Sequence, residues 1–135
     1  MKIKFLAKGL TPVSYNINGS LINGVDTSLF TEGSVFVGNE DTYIAGIYGM
    51  LWENGVLHVI LGQMTKGYQI PGCCSDWWEG DWIDASDYDP EQCYVVATDP
   101  EVSAMLSAGD AEYWRDPADG RWTVRLVDKG DNSNG

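Results

Sequence analysis

The sequence predicts a mainly β protein, a small antiparallel sandwich or barrel of about eight short strands with at most one or two short helical turns. Three observations lead there. Apolar and polar residues alternate with a period of two in several short stretches. Turn signals rich in Gly, Asn, Asp and Pro separate these stretches at regular spacing. Six Trp, seven Tyr and three Phe supply the large flat side chains that fill sheet cores. A length of 135 residues suits one domain. Residues 1–127 are expected to form it, and residues 128–135 to form a flexible polar tail.

The first strand covers residues 2–7, with Ile3 and Phe5 on one face and Lys2 and Lys4 on the other. Gly9-Leu10-Thr11-Pro12 ends it. Residues 13–17 alternate again and run into Asn18-Gly19, a dipeptide that tolerates the positive φ of a type I′ turn. Asn23-Gly24 repeats the signal, which places a compact hairpin here and a loop over residues 25–30. Asp26 or Thr27 can cap one helical turn in that loop, and Gly33 stops anything longer. Ser34-Val35-Phe36-Val37 reads as a short strand, followed by polar Gly38-Asn39-Glu40-Asp41.

The clearest unit spans residues 42–61, two apolar runs joined by Asn54-Gly55 into a β-hairpin. The returning run from Val56 to Leu61 is apolar at nearly every position, so both its faces are expected to be buried. Residues 64–75 read as a loop and residues 93–97 as a strand. Asp99 as N-cap, Pro100 at the first position and Gly109 as the stop bound a short helix. Tyr113-Trp114 and residues 122–127 flank Asp116-Pro117-Ala118-Asp119-Gly120 as a second hairpin.

The formal net charge is -12, from eight basic and twenty acidic residues. Nucleic acids and anionic membranes bind through clustered Lys and Arg, and no such cluster exists here. Thirteen of the acids lie between Asp76 and Asp119, either as a solubilising face or as an interface with a basic partner or a cation. The N-terminal residues read as a strand rather than a signal peptide, and no apolar run is long enough to span a bilayer. Synthesis in a reducing cytosol is the corresponding expectation.

The residues that carry reactive chemistry are sparse. His58 is the only histidine, so neither a two-histidine metal site nor a triad can form within one chain. Cys73, Cys74 and Cys93 do not match zinc-ligand spacing and have no nearby base; core or loop thiols fit them, with a Cys73–Cys93 or Cys74–Cys93 disulfide as the alternative. Asp81, Asp84, Asp87 and Asp89, with Glu91 just after, gather many hard oxygens. Asp84, Asp87 and Asp89 are therefore candidates for calcium, although Asp-rich turns also cap the backbone without any metal. Trp77, Trp78, Asp81, Trp82, Asp84, Asp87, Tyr88 and Asp89 together form a candidate aromatic–acidic interface. Phosphate loops, G-x-S-x-G and H-E-x-x-H are missing, so no enzyme and no cofactor is expected.

Gly9-Leu10-Thr11-Pro12, Ile22-Asn23-Gly24-Val25-Asp26, Gly38-Asn39-Glu40, Ala45-Gly46-Ile47-Tyr48, Leu57-His58-Val59 and the run from Asp81 to Pro90 carry a resemblance. In these motifs the chain resembles a group of small uncharacterised proteins encoded among the tail genes of tailed bacteriophages and prophages of Gram-negative bacteria. The likeness covers residues 1–97, and residues 99–110 stand as an insertion in it. It implies a structural part of a virion, at the tail tip, baseplate or fibre-attachment region. Other tail proteins would be its partners, in a homo-oligomer or symmetric assembly, with no nucleic acid bound and no membrane insertion. It identifies no functional residue. Two alternatives stand beside it: a soluble binding module for a host glycan or host protein, and an acidic inhibitor of a host defence system.

Overall fold

The computed structural model describes residues 1–73 and 75–128. In chain order its elements begin with β1 (Lys2–Lys8), the meander β2 (Ile17–Asn18), β3 (Leu21–Ile22) and β4 (Val25–Asp26), and the short helix α1 (Glu40–Ile44). The hairpin β5 (Ile47–Glu53) and β6 (Val56–Met64) follows, then β7 (Trp77–Trp78), β8 (Ile83–Asp84) and β9 (Val96–Ala97). Helix α2 (Pro100–Ala108) and the hairpin β10 (Ala111–Arg115) and β11 (Trp122–Leu126) complete the described chain.

The fold is mainly β, with most strand pairs antiparallel, as the alternation predicts. Its frame is a sheet in the order β5-β6-β1-β8. Asn54 and Gly55 both have positive φ, which gives the tight β5–β6 turn the twist its strands need. Strand β6 then lies parallel to β1, with Ile3 opposite Val59 and Phe5 opposite Leu61. These four side chains point the same way and are fully buried. Each stabilises the fold by about 1.5–3 kcal/mol relative to exposure. A second apolar cluster of Tyr68, Ile70, Ala97, Val102, Ala111 and Val124 sits under α2 and the β10–β11 hairpin. Residues 65–69 join the two regions by running parallel to β11 through bridges at Trp122 and Arg125.

Tyr15 ties the frame together. Its hydroxyl donates to the Gly62 carbonyl at 2.5 Å, accepts from the Gly62 amide at 3.1 Å, and meets Thr11 Oγ1 at 3.0 Å. Glycine is required on both sides of it. A Cβ on Gly46, whose φ is +85°, would overlap the Tyr15 ring, and one on Gly62 would lie 2.6 Å from the Tyr48 ring. The Tyr15 amide in turn donates to the Tyr88 hydroxyl at 3.1 Å.

Several local expectations need correction. Of the two forms expected for the mainly β fold, the barrel is not the one seen: among the described residues the strands form four separate sheets, none of them closed. Only Ile17 of the expected strand at 13–17 is in a strand, and Gly19-Ser20, not Asn18-Gly19, forms the turn into β3. Val25 and Asp26 pair with β3 instead of entering a loop, although Asp26 does cap the helical turn at Thr27–Leu29. Residues 34–37 have no strand partner, and Val35 and Val37 are 86% and 79% exposed. The expected hairpin start at residue 42 is instead α1, set by a capping box in which Asn39 accepts from the Thr42 amide and Thr42 from the Asn39 amide. Only Val96 and Ala97 of residues 93–97 form a strand. Cys93 is a free thiol that donates to the Val95 carbonyl, so neither disulfide involving it forms. Cys74 and all of the expected tail at 128–135 except Asp128 lie outside the described residues.

Two outcomes are expected. Tyr15→Phe leaves the buried Gly62 carbonyl without its hydroxyl donor and should lower unfolding free energy by about 1–3 kcal/mol in denaturant titration. Burial raises the ionisation of Tyr15, Tyr68, Tyr88 and Tyr113 above the ordinary tyrosine value, and pushes the Cys93 thiol up from 9.0 to about 12. Above pH 9 the unfolded chain then releases protons that the folded chain keeps, so stability should be full below pH 9 and fall between pH 9 and 12. Thermal melts at pH 8, 10 and 11 measure this, and an unchanged Tm across that range would refute it.

Candidate interaction surface

The pleat divides the tryptophan pair. Adjacent residues on a strand face opposite ways, so Trp77 and Trp78 on β7 have opposite environments. Trp77 turns inward and packs edge-on to Tyr68 with centroids 5.3 Å apart, while its indole N–H donates to the Lys66 carbonyl at 3.3 Å. Trp78 turns outward, 66% exposed, beside its cross-strand partner Val96, which is 46% exposed. Of the predicted interface residues, Trp77 therefore belongs to the packing and Trp78 to the surface.

Trp82 lies on the sheet face opposite the main core. Its ring meets His58 edge-on at 4.8 Å, and Lys4 Nζ stands 4.8 Å above it. Lys4 also pairs with Glu79 at 2.9 Å, and Lys2 pairs with Asp84 at 2.8 Å. The Lys2 ammonium holds the Asp84 carboxyl below the usual range. Lys2 and Lys4 of β1, predicted to face outward, thus fasten residues 79–84 across the sheet. His58 contributes its ring, with Nδ1 2.9 Å from the Val56 carbonyl.

Tyr88 is a packing residue as well. Its ring stacks on Phe5 at 5.7 Å, and its hydroxyl accepts from the Tyr15 amide. Asp89 caps the next turn by accepting from the Glu91 amide at 2.9 Å, and its own amide donates to the Tyr94 hydroxyl at 2.7 Å. Asp87 closes the helical turn Ala85–Asp87 and is exposed, as is Asp81. Asp84, Asp87 and Asp89 are not brought together: no group of three or more His, Cys, Asp or Glu that could hold a metal exists among the described residues.

Three supporting residues carried no signal beforehand. Buried Gln63 on β6 accepts from the Tyr94 and Val95 amides at 2.7 and 3.1 Å and donates to the Gln92 carbonyl at 2.9 Å. Val96 flanks Trp78, and Glu79 anchors Lys4. All three depend on partners distant in sequence, so local pattern could not reveal them.

Charge is segregated along the chain. Residues 76–119 hold thirteen acids and one base, Arg115, while the remainder holds seven of each, so the whole net charge falls on this segment. Glu79, Asp84, Glu91, Glu112, Asp116 and Asp119 are ion-paired. Asp76, Asp81, Asp87 and Asp89 have no ion pair among the described residues. Among these acids the exposed large apolar side chains are Trp78, Val96 and, least of the three, Trp82.

Substitution should separate the two tryptophans. Trp77→Ala should cost about 3 kcal/mol of stability, as expected for an aromatic removed from packing. Trp78→Ala should change it by no more than about 0.5 kcal/mol. Chemical denaturation of both variants measures the difference, and equal losses would place Trp78 in the packing too.

No helix among the described residues is long and apolar enough to cross a membrane. No family model, no curated protein and no solved structure matches the chain.

Proposed function

We propose that this chain is a non-catalytic structural component of a phage virion, placed at the tail tip, baseplate or fibre-attachment region and acting through protein–protein contacts. The observation that carries the reading is the exposed Trp78–Val96 pair set in a segment bearing the entire net charge. Exposed aromatic rings are typical anchors of protein interfaces, where a few buried side chains supply most of the affinity. The acids of the same segment without an ion pair among the described residues, Asp76, Asp81, Asp87 and Asp89, favour a basic partner surface and steer it into register. A loop tied down at Gln63, Tyr88 and Lys4 presents these groups with little ordering cost on binding. The motif resemblance to tail-gene products supplies the virion as the setting, with assembly following synthesis in the host cytoplasm.

The test is incorporation. Mass spectrometry of purified particles should find the chain at a fixed stoichiometry with other tail proteins. Trp78→Ser should fold with an unchanged melt and yet be depleted from particles at least about tenfold, the loss expected when an anchoring ring is removed. A chain missing from intact particles, or Trp78→Ser incorporating at the wild-type level, would overturn this reading.

A further inference from the structure

Asparagine before glycine is prone to react with water, because glycine has no side chain to shield its amide nitrogen from the side-chain amide that precedes it. The chain holds four such pairs. Asn134-Gly135 lies outside the described residues, and the other three sit at turns. Asn18-Gly19 leaves β2, Asn23-Gly24 joins β3 to β4, and Asn54-Gly55 joins β5 to β6. Reaction needs two freedoms. The asparagine side chain must swing toward the glycine nitrogen, and the peptide between the two residues must rotate to meet it.

The fold removes one or other freedom from two of the pairs. Asn23 is held by its side chain: Oδ1 accepts from the Asn16 amide at 2.8 Å, and Nδ2 donates to the Ala45 carbonyl at 3.1 Å. Asn18 is held by its backbone. The Asn23 amide donates to the Asn16 carbonyl at 2.9 Å, and antiparallel bonded pairs recur at every second residue, so Asn18 and Leu21 form the next bonded pair. The Leu21 amide thus holds the carbonyl of the peptide that would have to turn. Asn54 is held in neither way. Glu53 and Val56 close the ladder, which leaves the Asn54-Gly55 peptide outside it. The Asn54 side chain is exposed and meets no partner among the described residues, and the space beside Gly55 is open.

We propose that Asn54 is a site of spontaneous covalent modification by water, where the β5–β6 turn is converted to aspartate and isoaspartate. The Gly55 amide nitrogen attacks the side-chain carbonyl carbon of Asn54, gives up its proton, and ammonia leaves as the succinimide ring closes. Water then opens the ring. Attack at the side-chain carbonyl gives aspartate, and attack at the main-chain carbonyl gives isoaspartate, whose backbone is longer by a methylene. The turn has no slack for that methylene. The φ values of Asn54 and Gly55, +52° and +74°, match the twist of the flanking strands, and a lengthened turn cannot keep Glu53 opposite Val56. The hairpin then opens from its tip toward Val59 and Leu61 of the core. Aspartate tolerates the positive φ and leaves the turn in place. This modification stands on the hairpin alone and does not require the virion reading.

The test is to age the full chain at pH 8, folded and in urea, and to map each asparagine by mass spectrometry of its peptides. In the folded chain Asn54 should react first. Asn18 should react about tenfold more slowly because a ladder hydrogen bond must open, and Asn23 more slowly still because two side-chain bonds must. In urea the three rates should come together, since glycine follows each residue. Aged wild-type chain should melt at a lower temperature than fresh chain. Asn54→Gly, which the turn accepts without strain, should age without that loss. Asn18 or Asn23 reacting as fast as Asn54 in the folded chain overturns the assignment. So does an Asn54 that stays intact when folded and reacts only in urea. Isoaspartate at position 54 with an unchanged Tm overturns its effect on the hairpin.

Discussion

A phenol hydroxyl buried in an apolar core is costly unless it is hydrogen-bonded, and the Tyr15 hydroxyl meets that condition at a single point where β6, the entry to β5 and the end of the first loop converge. The rest of the architecture follows outward from it. Gly46 is imposed by the space the Tyr15 ring takes up, and Gly62 by the Tyr48 ring and the Thr11 hydroxyl beside it. The Tyr15 amide holds Tyr88, whose ring stacks with Phe5 and Tyr94, so that β1 and the acid-rich loop share one aromatic cluster. Gln63 then fixes the far side of that loop from β6. A segment with little regular structure of its own is thereby tied at both sides to the strands beneath it.

This anchoring explains how a small domain can concentrate its whole net charge in one stretch and remain folded. Repulsion among thirteen acids would favour a looser chain. Six of them are engaged by Lys2, Lys4, Lys66, Arg115 and Arg125, so the basic residues counter the charge where the chain must stay closed. Lys66 alone bridges Asp116 at 2.6 Å and Asp119 at 3.0 Å, pinning the β10–β11 turn against the strand-like run that joins the two apolar clusters. These pairs are partly or largely exposed, so each contributes little alone. Their value lies in placement, because each ties together two segments distant in sequence.

Where a local pattern dictates structure, the sequence was readable. The Asn54-Gly55 hairpin, the first strand, the helix bounded by Asp99-Pro100 and Gly109, and the hairpin around residues 116–120 all formed where turn chemistry and periodicity put them. Elements set by tertiary partners were not readable. Ser34-Val35-Phe36-Val37 has strong strand propensity, yet propensity cannot supply a neighbouring edge, and no strand lies beside it. Helix α1 is only five residues long and depends on reciprocal Asn39–Thr42 capping, a signal easily lost beside a long apolar run. The candidate interface was half legible. Its acids and Trp78 are exposed, but Trp77 and Tyr88 are packing residues, because proximity in sequence says nothing about which side of a strand or cluster a ring will occupy.

The uneven placement of charge constrains association as well as folding. Residues 76–119 carry the whole net charge of -12, and Asp76, Asp81, Asp87 and Asp89 within them have no ion pair among the described residues. Like charges brought to short range repel, so contact between two copies through this segment is disfavoured, and a basic surface is the complement it favours. The exposed Trp78–Val96 pair belongs to the same segment, so apolar contact and charge selection would act together on whatever binds there.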